Sequence, residues 1–185
     1  MNLIFGEEYE FPYLLVIQDH FSKFCMAYPL RNKTAETVLK KIKKFFSYYG
    51  EPEQFGSDNG KEFVNSLLIN FLNSKNIEFI RGIPYNPHSQ GSVERLHQTL
   101  KKSLFAVYNE FLTNNDKSEK FDIKSEVLSI CNNYNSIKHN ATQYPPIKIF
   151  FSDNNDLFNK VIDYLKKNIR KKFQMMILLL MKKFY

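Results

Sequence analysis

Three observations predict a mixed α/β domain, a sheet with helices on both faces. A nearly unbroken apolar run, "YLLVIQ" at residues 13–18, reads as a buried central strand. Apolar residues recur at three- and four-residue spacing in several later stretches, which marks helices with one buried face. Strand-like segments come first, and helix-like segments then alternate with short strands, the order expected of a sheet covered on both sides.

The elements follow in order. "KFCMAYPL" alternates Phe24, Met26, Tyr28 and Leu30 on one face, and "DHFS" before it has turn chemistry, so the first two strands form a hairpin. A helix comes next: Thr34 caps it, Val38, Ile42, Phe45 and Tyr49 line its buried side, and Gly50 with Pro52 ends it. The lysines of "KKIKK" take the solvent side. A short strand over residues 54–57 delivers Asp58 onto an "NG" turn, and a second helix follows with Val64, Leu67, Leu68, Phe71 and Leu72 as its stripe.

"IEFI" is a further short strand. After a Pro- and Gly-punctuated loop, a long helix is expected from Gly91, with Val93, Leu96, Leu100, Leu104, Val107 and Phe111 toward the core. Glu94, His97, Gln98 and Lys101 stand at i, i+3, i+4 and i+7, which places them along one other face. Neither His88 nor His97 has a metal-spaced partner, so both read as polar surface. A polar connection leads to a helix at about residues 123–135, "KHNATQYPP" breaks it, and the terminal run "MMILLLM" reads as part of a closing helix.

The chain has 185 residues and a net charge of +7. Residues 160–185 hold eight Lys or Arg and one acid, Asp163, so the excess is local and says little about the main domain. This segment would bind phosphates non-specifically or serve no role. Cys25 and Cys131 lack disulfide or zinc spacing, which fits a reducing compartment. "MMILLLM" falls far short of the roughly 20 residues of a membrane span, so no membrane is expected.

Two stretches concentrate chemistry. "GSDNGKEF" sets Asp58 at a strand end, and "PYNPHSQGSVERLHQTLKK" sets Glu94 near a helix start, with 35 residues between the two acids. Together with "DHFSKF", they resemble the retroviral and retrotransposon integrase catalytic core, the D,D-35-E family. The likeness runs from about Tyr13 to Leu104, and loosely on through "YNSIKHNATQYPPIKIFF". The wording "IQDHFSKF" is most similar to integrases of Gypsy-like elements and host proteins derived from them.

The resemblance implies a ribonuclease H-like fold and metal-dependent DNA strand transfer, in which a 3′ hydroxyl attacks a target phosphodiester. Two Mg²⁺ (or Mn²⁺) ions roughly 3.5–4 Å apart activate the attacking oxygen and stabilise the leaving one in such reactions, and carboxylates are the hard ligands they take. By resemblance, Asp58 and Glu94 are catalytic metal ligands. Positions matching Gln98 and Lys101 contact the DNA end, and those matching Tyr85 and Gln90 lie on a mobile loop beside the metals. DNA and further copies of the chain are the implied partners, and the nucleus the implied location, supported in sequence only by "RKK". The family's first acid precedes the "YLLVIQ" strand. Only Glu7, Glu8 and Glu10 stand upstream of Asp19, and Asp19 itself falls in the hairpin turn, at a position without a metal role. The expectation is therefore a chain truncated at its amino terminus, with an incomplete first strand and one catalytic carboxylate absent, inactive by itself. The alternative is a non-enzymatic, domesticated DNA-binding or interaction protein. The expected organisation is a catalytic core over 1–112, a helical extension over 113–150 and a basic tail over 151–185.

Overall fold

The computed structural model describes residues 10–82, 87–114, 120–168 and 176–183, with side chains described for 10–82, 91–114 and 120–166. Strand β1 (Tyr13–Asp19) is buried at every residue but the first, which requires cover on both faces. A tight turn connects it to β2 (Cys25–Leu30), with Lys23 in the left-handed region at φ 68° and the Asp19 N–H bonded to the Phe24 carbonyl at 2.8 Å. The two strands pair antiparallel, Tyr13 opposite Leu30 through Gln18 opposite Cys25.

Helix α1 (Ala35–Tyr49) starts where the Thr34 side chain accepts from the Thr37 N–H, and it buries Val38, Ile42, Phe45 and Phe46. Gly50, at φ 90°, ends it by donating its N–H to the Phe46 carbonyl, a backbone geometry that favours glycine. Strand β3 (Gln54–Ser57) follows, with the Phe55 ring edge-on to Phe46 at 6.0 Å. Helix α2 (Ser66–Ser74), capped by the Asn65 side chain, and strand β4 (Glu78–Arg81), parallel to β3, complete this half of the sheet. One expected α2 position differs. Leu67 is 44% exposed, while Phe63, in the turn before the helix, is fully buried, so the turn supplies the larger core anchor.

Helix α3 (Pro87–Asn114) begins four residues ahead of Gly91. Proline at the first helical position explains this, because its missing N–H would have no helical partner and its fixed φ suits the helix. Val93, Leu96, Leu100 and Leu104 are buried as expected, whereas Val107 and Phe111 are half-buried. Helix α4 (Ile123–Ser136) is capped by the Asp122 carboxylate and buries Ile123, Val127, Cys131 and Asn135, one stripe at four-residue spacing that faces β2. Asn135 is 2% exposed. Its side chain accepts from the Cys25 N–H at 2.9 Å and donates to the Cys25 carbonyl at 2.8 Å, which satisfies the outer edge of β2 as another strand would.

The short α5 (Pro146–Phe150) and α6 (Asn155–Asn168) form a second apolar cluster from Ile149, Val161 and Leu165, with Phe158 stacked on Phe21 of the hairpin turn. Helix α6, with Val161 and Leu165 of this cluster, falls within the segment expected as a basic tail. Its final run is not a helix: Met176–Lys183 is strand β5, and the sheet order is β2-β1-β5-β3-β4. An apolar run this short is compatible with either state by periodicity, and here non-local pairing decides it. Among the described residues, no helix is long and apolar enough to cross a membrane.

Candidate functional site

Asp58 stands at the carboxyl end of β3, the position where an α/β sheet presents side chains to a ligand crevice. The Ser57 carbonyl accepts from the Gly82 N–H at 2.8 Å and the Asn59 side chain donates to the Gly82 carbonyl, so the Asp58 backbone is held against the end of β4. The Asp58 carboxylate accepts from the Gly60 N–H at 3.0 Å, and the Gly60 carbonyl then accepts from Phe63 and Val64, with Phe63 anchored in the core. A buried aromatic thus fixes the loop that shapes the acid.

Gly60 is required by close approach. A Cβ there would lie 2.8 Å from the Glu62 carboxyl carbon, 2.9 Å from Glu62 Oε2 and 3.0 Å from Asp58 Oδ1. Two carboxylates therefore flank one small space. They line a cleft of about 620 Å³ with Lys33, Ala35, Asn59, Gly60 and Lys61, and Lys33 Nζ stands 3.8 Å from Glu62 Oε1. Glu62 and Lys33 were not singled out in the sequence, although a glycine two residues before a glutamate and two after Asp58 is the signal that would have pointed there. The cleft suits a hard cation in donor type, since its acidic oxygens come from Asp58 and Glu62. Among the described residues, no group of three His, Cys, Asp or Glu is clustered to hold a metal.

Helix α3 presents Glu94 and Gln98 on its exposed face, and Lys101 is half-buried. The expected common face loses one member: His97 is 6% exposed because it stands four residues after Val93 and three before Leu100, on the buried stripe. The early start of α3 also puts Glu94 beyond the first turn, which has no acid, so the positive end of the helix dipole adds little to it. Tyr85 lies outside the described residues. Gln90 lies in the helix, not in a loop, and its side chain is outside those described.

The helix is registered on the sheet by Gln18, a residue with no sequence signal beyond being polar in an apolar run. Gln18 is 2% exposed; its Oε1 accepts from the Ser92 hydroxyl at 3.1 Å, and its Nε2 donates to the Tyr134 hydroxyl at 3.4 Å. Next to it, the Asp19 carboxylate accepts from both the N–H and the hydroxyl of Ser22, a turn-forming role, while its Oδ1 is buried without a hydrogen-bond partner among the described residues. Burial pushes the nearby Lys23 ammonium down to about 8, with Asp19 opposing and Arg95 adding to the shift. Burial likewise pushes the His20 imidazole down to about 4, helped by Lys23.

Comparison with known proteins settles the fold. Residues 3–87 match the integrase core domain family. The simian T-cell lymphotropic virus intasome, solved in complex with PP2A regulatory subunit B56 gamma, gives a TM-score of 0.67 at 22% identity over 80% of this chain and 52% of that one. The catalytic core of BIV integrase gives 0.61 at 24% identity over 82% and 89%. This chain has the integrase catalytic-core fold. The HTLV-2 integrase catalytic core, solved with magnesium in a trimeric form, agrees at a TM-score of 0.60 and 20% identity over 75% of this chain and 84% of that one.

In sequence the integrase-like core is 40% identical over 95 residues to the Pol polyprotein of Feline endogenous virus ECE1, covering 51% of this chain and 9% of that protein. It is 36% identical over 97 residues to the Pol polyprotein of Radiation murine leukemia virus (strain Kaplan), covering 52% and 17%. The chain therefore spans less than a fifth of the length of these retroviral relatives.

Proposed function

We propose that the chain is an integrase-type polynucleotidyl transferase core that binds DNA and joins a DNA 3′ end to a target strand. The observation that carries this reading is the cleft at the end of β3, where Asp58 and Glu62 converge on Gly60 within an integrase catalytic-core fold. Asp58 and Glu94 are its proposed catalytic metal ligands, with Glu62 beside Asp58. Mg²⁺ or Mn²⁺ bound there would supply charge stabilisation to the attacking and leaving oxygens. Gln98, on the same exposed face as Glu94, and Lys101 are the proposed DNA contacts on α3, and Tyr85 and Gln90 are further proposed contacts by resemblance alone. The Gypsy-like ancestry, action in the nucleus and self-association on DNA belong to the same reading.

One observation favours a second reading. The strand next to β3, "MILLLMKK", contains no Asp or Glu, so the centre of the sheet hands no carboxylate to Asp58. A DNA-binding or interaction protein without catalysis fits that arrangement.

The test is a joining assay with the purified chain, a duplex bearing a free 3′ hydroxyl, a target duplex and Mg²⁺ or Mn²⁺. Joining that falls about a hundredfold or more in Asp58→Asn and in Glu94→Gln supports the first reading. Joining unchanged by Asp58→Asn overturns the assigned site. Salt-dependent DNA binding with no joining establishes the second reading.

A further inference from the structure

Two lysines line the cleft, and their surroundings differ. Lys33 enters it from the connection between β2 and α1, where its Nζ stands 3.8 Å from Glu62 Oε1 and 5.9 Å from the centroid of the Tyr13 ring. Lys61 makes no ion pair among the described residues. The Lys33–Glu62 pair is also unequal, since the Glu62 side chain is 10% exposed and the Lys33 side chain 54%.

Glu62 needs a cation. Its carboxylate is largely withdrawn from water, and the Asp58 carboxylate faces it across the space that Gly60 leaves open. A Cβ at Gly60 would be 2.9 Å from Glu62 Oε2 and 3.0 Å from Asp58 Oδ1. The two oxygens are therefore at most about 6 Å apart, close enough for their negative charges to repel unless a cation stands by. Lys33 meets this need only loosely: 3.8 Å is beyond the roughly 2.7–3.2 Å of a hydrogen bond, and the ammonium is carried on a flexible stem.

We infer that Lys33 is an exchangeable counter-ion, neutralising Glu62 in the metal-free chain and released by a divalent cation in the cleft to take a phosphate of the bound DNA strand. The inference rests on the cleft being the cation site proposed above, and adds an order of binding, cation before phosphate. Lys33 touches one carboxylate, whereas a hard divalent cation attracts both at once with twice the charge, so Lys33 loses the competition. Once released it has no distance to travel. The face of Tyr13 already stands near enough to stabilise the ammonium beside the cleft, where a phosphate oxygen is a strong acceptor for it. By reciprocity, cation and DNA then strengthen each other's binding through this one side chain.

The test uses the full chain, with Mn²⁺ affinity measured by calorimetry and the affinity for a labelled DNA duplex measured by fluorescence anisotropy, in Mn²⁺ and in chelator. Lys33→Met should bind Mn²⁺ about threefold or more tighter, because a competing charge is gone. Its DNA affinity should match that of the unaltered chain in chelator and fall about fivefold or more below it in Mn²⁺. Lys33→Arg keeps the charge and should restore both values. Lys61→Met, at a cleft lysine with no carboxylate to release, should weaken DNA binding by the same factor with and without Mn²⁺. Lys33→Met behaving like Lys61→Met would overturn the exchange. Mn²⁺ binding that is lost in Asp58→Asn but is no tighter in Lys33→Met would overturn it as well, and would leave the cleft standing as a cation site. An unaltered chain that binds no Mn²⁺ would overturn both.

Discussion

Asn135 offers the sharpest test of how the carboxy-terminal helices are fixed to the sheet. Replacing it with alanine removes the partner of the Cys25 N–H and of the Cys25 carbonyl, both in buried surroundings, with bonds of 2.9 and 2.8 Å. Each such bond contributes about 1 kcal/mol net, but a buried group left without a partner costs about 1–3 kcal/mol. Water admitted to the edge of β2 would restore part of this, so the expected loss is about 2–4 kcal/mol. The assay is urea unfolding of the full chain, followed by circular dichroism, with the slope m compared between variants so that a changed denatured state is recognised. Asn135→Asp keeps the acceptor but sets a carboxylate against the Cys25 carbonyl, so it should be no better than alanine. A loss below about 0.5 kcal/mol in both, at unchanged m, would refute the claim that this amide closes the sheet edge.

Two further outcomes follow from the same geometry. Because burial holds the folded Lys23 pKa near 8 against 10.5 unfolded, the unfolded chain binds the extra proton between those values and stability rises with pH there; above about 9 the burial-raised Cys25 thiol opposes it. Lys23 itself should contribute about 1 kcal/mol more stability at pH 9 than at pH 8, read from the urea unfolding as the difference between the change in the unaltered chain and that in Lys23→Met. Gly60→Ala inserts a methyl 2.8–3.0 Å from the Glu62 and Asp58 carboxylates. It should weaken Mn²⁺ binding by calorimetry at least tenfold while costing under about 1 kcal/mol of stability, since the Glu62 side chain can swing aside; unchanged Mn²⁺ affinity would sink the cleft as a cation site.

What was legible in the sequence was local. The apolar run of β1, the Thr34 cap and Gly50 stop of α1, the short strand leading to Asp58 and the extent of α4 all advertise themselves locally, and each is where its pattern places it. What was hidden depends on partners distant in the chain. β5 reads as a helix or a strand until β1 and β3 are known to lack a neighbour, and Asn135 reads as one more polar helix residue until Cys25 is opposite it. His97 and Leu67 were misplaced because the exact phase of a helix decides burial, and that phase is set by packing. The site divides in the same way: Asp58 is visible from its strand-then-turn context, whereas Glu62 becomes visible only through the space that Gly60 leaves open.

Gln18 connects these two kinds of information, because it lies within a local apolar strand yet its purpose is long-range. Its carbonyl oxygen accepts from Ser92, two residues before Glu94, and its amide donates to Tyr134 on α4, so one side chain sets the depth and rotation of α3 against β1. Gln18→Leu preserves volume and removes both bonds, leaving the Ser92 and Tyr134 hydroxyls to find water; the stability loss should be about 1–2 kcal/mol. Were Gln18 only a satisfied core polar group, nothing further would change. As a positioning residue it must also shift the amide resonances of residues 92–98, and lower kcat of the proposed joining reaction by more than it raises KM, because Glu94 would be displaced by a fraction of an ångström from its proposed place at the metal site. Gln18→Glu keeps the acceptor for Ser92 and should restore those resonances at a pH where the carboxylate is protonated. Unmoved resonances in Gln18→Leu would show that α3 takes its register from Val93, Leu96 and Leu100 alone.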